Sequence, residues 1–173
     1  LTDSKYNERR SECEKAVEML QPFKKIDSLT DIRFEEIELL GNYIDNETIF
    51  RRARHVISEN ARVRQAVEAL KKGDLLLFGN LMNQSHDSLK NDYEVTGHEL
   101  DTLVNESRKV EGVIGSRMTG AGFGGCTVSL VESVRIEEFI RKVKDGYTSI
   151  TGLTPDFYMP GIGTGASRIA QTN

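Results

Sequence analysis

The sequence predicts an α+β fold, an antiparallel β-sheet with helices packed on it, formed as a single domain by all 173 residues. Three observations carry that prediction. Up to position 111, apolar residues recur at three- and four-residue spacing, the period of amphipathic helices. Beyond it, runs rich in β-branched residues are joined by glycine-dense loops, as in strands linked by tight turns. The 15 glycines are also unevenly divided. Gly41, Gly73, Gly79 and Gly97 precede position 111, and the other 11 lie between Gly112 and Gly165. Residues 1–111 therefore read as mainly helical and 112–173 as a glycine-rich sheet region.

The elements follow in order. Cys13, Ala16, Val17 and Leu20 share one face of a helix over Tyr6–Leu20, which Pro22 stops. A short helix covers Phe34–Leu40. Asn46 caps a long helix from Glu47 to Lys72, with Ile49, Phe50, Ala53, Val56, Ile57, Val63, Ala66, Val67 and Leu70 inward. Gly73 ends it in a left-handed conformation. Asp74 caps the next helix, Leu75–Asp92, which carries Leu77, Phe78, Leu81, Met82 and Leu89 on its inner face. Thr96 to Glu99 matches a capping box before Leu100, Leu103 and Val104. Val113–Met118 and Cys126–Val131 are strands, with a loop between them. Val134–Ile150 is an amphipathic helix, with Ile136, Phe139, Ile140 and Val143 inward. Phe157–Met159 is a short strand, Gly161–Gly165 a second glycine loop and Ala166–Ala170 a last strand.

Composition excludes several classes. With 38 % hydrophobic and 29 % charged residues, the chain is neither disordered nor membrane-spanning. The first residues lack the basic and apolar regions of a leader. Leu1 in place of Met leaves processing, a tag scar or excision from a longer protein as readings. Cys13 and Cys126 form no disulfide framework and suit a reducing cytoplasm; with three scattered histidines, no zinc pattern arises. A net charge of −4 argues against nucleic acid as a partner.

The most informative segment is Gly115-Ser-Arg-Met-Thr-Gly-Ala-Gly-Phe-Gly-Gly-Cys126. Closely spaced glycines let successive N–H groups converge on an anion. No Gly-Lys-Ser/Thr follows, so this is not a Walker A loop. Gly120-x-Gly122-x-x-Gly125 matches a dinucleotide fingerprint by letter, but it leads into a strand where that fingerprint needs a helix. A phosphate- or ligand-facing loop is favoured over a purely structural hairpin, which needs only one or two glycines.

The same segment resembles the third signature motif of the galactokinase branch of the GHMP small-molecule kinases. Tyr6-Asn-Glu-Arg-Arg-Ser-Glu-Cys13 is similar to that family's Tyr-x-x-Arg-Arg-x-x-Cys helix start. Arg52–Val56, Phe78–His86 and Ser88–Val95, followed by Glu99-Leu-Asp-x-Leu103, resemble further family segments in the same order. The resemblance covers nearly the whole chain and weakens past Pro155. It implies a GHMP-kinase C-terminal-domain-like fold (a ferredoxin-like sandwich) and transfer of the ATP γ-phosphoryl to the anomeric hydroxyl of galactose. It also implies an absence. The family's Gly-Glu-His-x-Asp-Tyr and Gly-Leu-Ser-Ser-Ser motifs do not occur here, so the N-terminal catalytic domain, with the catalytic aspartate and the Mg²⁺ ligands, is expected to be a missing partner. On its own this chain is expected to be inactive, to hold no catalytic residue and no metal, and to belong to a cytoplasmic enzyme using ATP and Mg²⁺.

By the same resemblance, Thr119, Gly120, Gly122, Gly124 and Gly125 lie at the active site between the halves. Tyr6 is the expected galactose contact, with aromatic packing at a helix start as the alternative. Arg117 is a candidate phosphate contact, although an ion pair to a nearby carboxylate is favoured. Arg9, Arg10, Arg52 and Arg54 read as solvated or paired helix faces, His86 as a structural hydrogen-bonder and Cys126 as a small buried residue. Two other functions compete: another GHMP kinase acting on an amino sugar or mevalonate, and a stand-alone binding or regulatory module.

Overall fold

The computed structural model describes residues 2–161 and 163. Among these residues, six α-helices and two strands succeed one another: α1 (Thr2–Leu20), α2 (Ile37–Leu40), α3 (Glu47–Lys71), α4 (Leu75–Ser88), α5 (His98–Arg108), β1 (Val113–Thr119), β2 (Cys126–Val131) and α6 (Ile136–Thr151). The strands pair antiparallel, with Arg117 opposite Val128 and Thr119 opposite Cys126, and helices pack on them. The α+β arrangement is the one expected.

Local hydrogen bonds explain where the long helices begin. The Asn46 side chain accepts from the Ile49 N–H at 3.1 Å, and Asp74 accepts from the Leu77 N–H at 2.9 Å. Each satisfies a donor that the first helical turn leaves free. Gly73 sits between α3 and α4 at φ 69°. The expected capping box at Thr96 does not form. Thr96 is buried, Gly97 is the N-cap residue at φ 85°, and no side chain caps α5.

The main core lies between α1 and α3, where Ala16, Leu20, Ala53 and Ile57 meet Ile26, Leu29 and Ile32 of the intervening chain. The later part of α3 departs from expectation: Val63, Val67 and Leu70 are 55 %, 45 % and 50 % exposed, and Leu77 of α4 is also exposed. Their spacing is that of a core face, but no described element covers it. Val63 and Ala66, with Phe78 and Val128, line a mainly apolar groove of about 320 Å³.

Helix α4 seals one edge of the sheet. Gly79 and Gly115 let helix and strand touch, since a Cβ on Gly79 would collide with the Ile114 carbonyl. Asn83 Oδ1 then accepts from the Ser116 N–H at 2.9 Å, and His86 Nδ1 accepts from the Met118 N–H at 3.2 Å. Arg108 donates to Asn83 Oδ1 and to the Ser116 carbonyl. Side chains thereby occupy backbone groups that a third strand would otherwise use. His86 is the structural hydrogen-bonder expected. Burial lowers its pKa, with the Arg108 charge acting in the same direction, which favours the neutral ring that can accept from Met118.

The strand expected at Phe157–Met159 is absent. The chain from Leu153 to Gly161 has no regular structure; Tyr158 and Met159 are exposed, and Phe157 meets Phe139 edge-on at 6.2 Å. A strand forms only by pairing, and among the described residues β1 and β2 pair only with each other. The expected strand Ala166–Ala170 and most of the second glycine loop lie outside the described residues. Among those residues, no helix is long and apolar enough to cross a membrane.

Candidate functional site

The β1–β2 connection is built from glycines in a backbone conformation that other residues avoid. Gly120, Gly122, Gly124 and Gly125 have φ of 81°, 82°, 97° and 129°. Gly122 has a second constraint, because any Cβ would run into the Val95 carbonyl oxygen. That close approach lets the Phe123 N–H donate to the same oxygen at 2.7 Å. The Phe123 ring, partly buried, rests on Leu89, Val95, Leu100 and Met118. Lys5, on the first turns of α1, holds its ammonium 5.3 Å from the centre of that ring. Tyr6 is therefore the neighbour of a residue touching the loop, and at 59 % exposure it is open to a ligand.

The turn that leads into Val95 is held by an arginine cluster. After Ser88 the α4 helix loosens into a π-turn over Leu89–Tyr93, where the sequence predicted α-helix through Asp92. The carbonyls of this turn are drawn outward. Arg51 donates to Asn91 O at 2.9 Å, Arg52 to Asp92 O, and Arg9 to Tyr93 O at 2.6 Å. Donors engaging these carbonyls compete with regular helical bonding. Arg52, 2 % exposed, also donates to Glu12 at 2.8 Å and to Glu94 at 2.6 Å, while Arg9 donates to Glu12 at 2.9 Å.

The charges fit this geometry. Burial works against the Arg52 cation, but hydrogen bonds to Glu12 and Glu94 outweigh it, so its pKa stands above the ordinary value. Arg52 and Arg51 hold the Glu94 carboxyl below the usual range. Beside them His55 is buried and stacked on Tyr93, with Nδ1 2.9 Å from Ser88 Oγ. Burial, first among several influences, brings the His55 pKa down to about 4. Ser88 Oγ donates to Asp92, which also takes the Arg54 guanidinium. The arginines are paired as expected, but Arg9 and Arg52 are buried rather than solvated.

The remaining candidates are placed plainly. Arg117 lies 3.5 Å from Glu59 and donates to the Met118 carbonyl at 3.0 Å, so the favoured ion pair forms. Cys126 is exposed, contrary to expectation, because it sits with Thr119 at the loop end of the ladder, beyond the cover of the helices. Among the described residues, no group of three or more His, Cys, Asp or Glu side chains is placed to hold a metal ion. Glu12, Glu94 and Asn83 are contributors that sequence reasoning missed, although all three fall inside segments already singled out by resemblance. Those segments, scattered from Tyr6 to Cys126, are linked by these contacts: Glu12 and Glu94 to Arg52, and Asn83 to Ser116.

The GHMP kinases C-terminal family matches residues 66–149. Across those residues the chain carries the C-terminal domain of the GHMP kinases. Within the family it matches the C-terminal portion of galactokinases. The galactokinase of Clostridium acetobutylicum is 54 % identical over 169 residues, covering 98 % of this chain and 43 % of that protein. That of Fusobacterium nucleatum is 50 % identical over 170 residues, covering 98 % of this chain and 44 % of the relative. The crystal structure of Lactococcus lactis galactokinase complexed with galactose superposes with a TM-score of 0.89 at 46 % identity, covering 91 % of this chain and 41 % of that one. The chain thus spans less than half the length of the relatives it matches.

Proposed function

We propose that this chain is the C-terminal part of an ATP-dependent kinase that phosphorylates galactose at its anomeric hydroxyl, releasing galactose 1-phosphate in the cytoplasm. The observation that carries the reading is the glycine loop. Its glycines hold backbone angles that allow close approach of a ligand, in a chain about half identical to galactokinases along nearly its whole length.

Phosphoryl transfer depends chiefly on positioning and on neutralising charge on the phosphate oxygens. Backbone N–H groups at Gly120–Gly125 suit that task without any titratable side chain. Tyr6, exposed beside Lys5, is assigned to galactose, where its ring can cover an apolar sugar face and its hydroxyl can hydrogen-bond. Arg117 is committed to Glu59, so contact with phosphate requires it to leave that pair. Mg²⁺ would neutralise phosphate charge, but the described residues offer it no ligand set. We assign its ligands, and the base that takes the sugar proton, to an N-terminal half of the same enzyme. This chain alone is then inactive and binds ATP poorly.

The test is a sugar-panel assay on the full-length protein whose reading frame contains this chain. Galactose-dependent ADP release with galactose 1-phosphate as product is expected. Turnover of an amino sugar or mevalonate instead would move the protein to another GHMP branch, and no turnover of any substrate would favour a non-catalytic module. Calorimetry showing tight ATP binding to the isolated chain would contradict the division of labour between halves.

A further inference from the structure

Among the described residues, two non-glycine residues occupy the left-handed region, Glu94 at φ 55° and Phe123 at φ 59°. A side chain in that conformation strains the backbone and persists only where its surroundings enforce it. The two are adjacent in space. Glu94 immediately precedes Val95, Phe123 immediately follows Gly122, and the Phe123 N–H donates to the Val95 carbonyl at 2.7 Å. Strained residues thus stand on both sides of one backbone hydrogen bond.

The enforcement is visible on the Glu94 side. Its carboxylate accepts from Arg51 at 2.7 Å and from Arg52 at 2.6 Å, and its carbonyl accepts from Arg9 at 3.4 Å. Arg52 is itself anchored by Glu12. We propose that Glu94 is a positioning residue for the glycine loop: gripped by Arg51 and Arg52, it orients the Val95 carbonyl, and that carbonyl fixes the Phe123 amide and the glycines around it. Relaxing Glu94 to an ordinary backbone conformation would turn the next peptide plane and aim the carbonyl elsewhere. Glu94 touches neither sugar nor phosphate in this scheme; it acts through Val95. The link to turnover rests on the proposed kinase reading, whereas the link to loop geometry does not.

Two variants of the full-length protein separate strain from grip. Glu94→Gln keeps the strain and weakens the charged grip. Glu94→Gly removes both, and glycine accepts the native angle without penalty. In each, amide hydrogen exchange at Phe123 is expected to quicken at least tenfold while the amides of Ala53 and Ile57 keep their protection. Turnover is expected to fall at least tenfold with KM for galactose within twofold. Unchanged exchange at Phe123 in both variants overturns the inference. Quickened exchange with undiminished turnover overturns its functional half. If the unaltered protein phosphorylates no sugar, the kinase reading fails, and exchange at Phe123 still decides whether Glu94 positions the loop.

Discussion

Helix α3 treats its two ends in opposite ways. Near the start it buries an arginine, Arg52, to 2 % exposure; near the end it leaves Val63, Val67 and Leu70 about half exposed. Hydrophobicity alone predicts the reverse on both counts. The early end can bury a cation because Glu12, Glu94 and a backbone carbonyl arrive to meet it. The late end exposes apolar side chains because no described element covers them, as at a surface made to be occupied. Burial is thus set by what is available to pair with, and the hydropathy of the residue is only part of the account.

The largest expected effect comes from breaking the early end. Arg52→Met takes the buried guanidinium from Glu12, Glu94 and the Asp92 carbonyl but leaves Glu12 with Arg9 and Glu94 with Arg51, so the cost sits at the lower end for a broken buried pair, about 3 kcal/mol. Urea denaturation should show the loss; a change within error would mean that the cluster is ornamental. Next is acid sensitivity. With its folded pKa lowered to about 4, His55 binds its proton more readily in the unfolded chain. Stability is therefore complete above the ordinary value of 6.5 and is lost as pH falls towards 4, by on the order of 2–3 kcal/mol. The difference in denaturation midpoint between pH 7 and pH 4.5 should shrink in His55→Gln, and an equal difference in both proteins would refute the assignment.

Smaller effects sharpen the contrast. Gly122→Ala combines a collision with the Val95 carbonyl and an unfavourable φ, a strain of roughly 1–3 kcal/mol. It should lower turnover of the full-length protein at least tenfold, which steady-state kinetics would read. Val67→Glu at the late end of α3, together with Leu76→Glu on the first turn of α4, should change stability by less than about 0.5 kcal/mol per site, because both residues are exposed. Light scattering should nevertheless show reduced self-association of the isolated chain at high concentration. A strict monomer before and after substitution would remove the argument for a surface awaiting cover.

Much of this architecture was readable in advance where the controlling interaction is local. The Asn46 and Asp74 caps reach three residues along the chain, and Gly73 needs only its own lack of a side chain. The expected strand at Phe157–Met159 failed because strands exist only in pairs. The Thr96 capping box failed because the threonine was drawn into the interior. At the candidate site, the glycine loop and Tyr6 stood out by composition and resemblance. Glu94 did not, since an ordinary glutamate carries no mark of the angle it will adopt or of the arginines that will hold it.

The succession of helices, the turn from helix to sheet near position 111 and the places where glycine is needed were written in residue order. They depend on contacts a few residues apart, which the unfolded chain already keeps close. Which charges are buried and which apolar faces stay bare was settled only on folding. The contact between Arg9 and the Tyr93 carbonyl spans 84 positions, and that between Arg52 and Glu12 spans 40. Such partners become neighbours only after chain entropy has been overcome, so no local pattern can announce them.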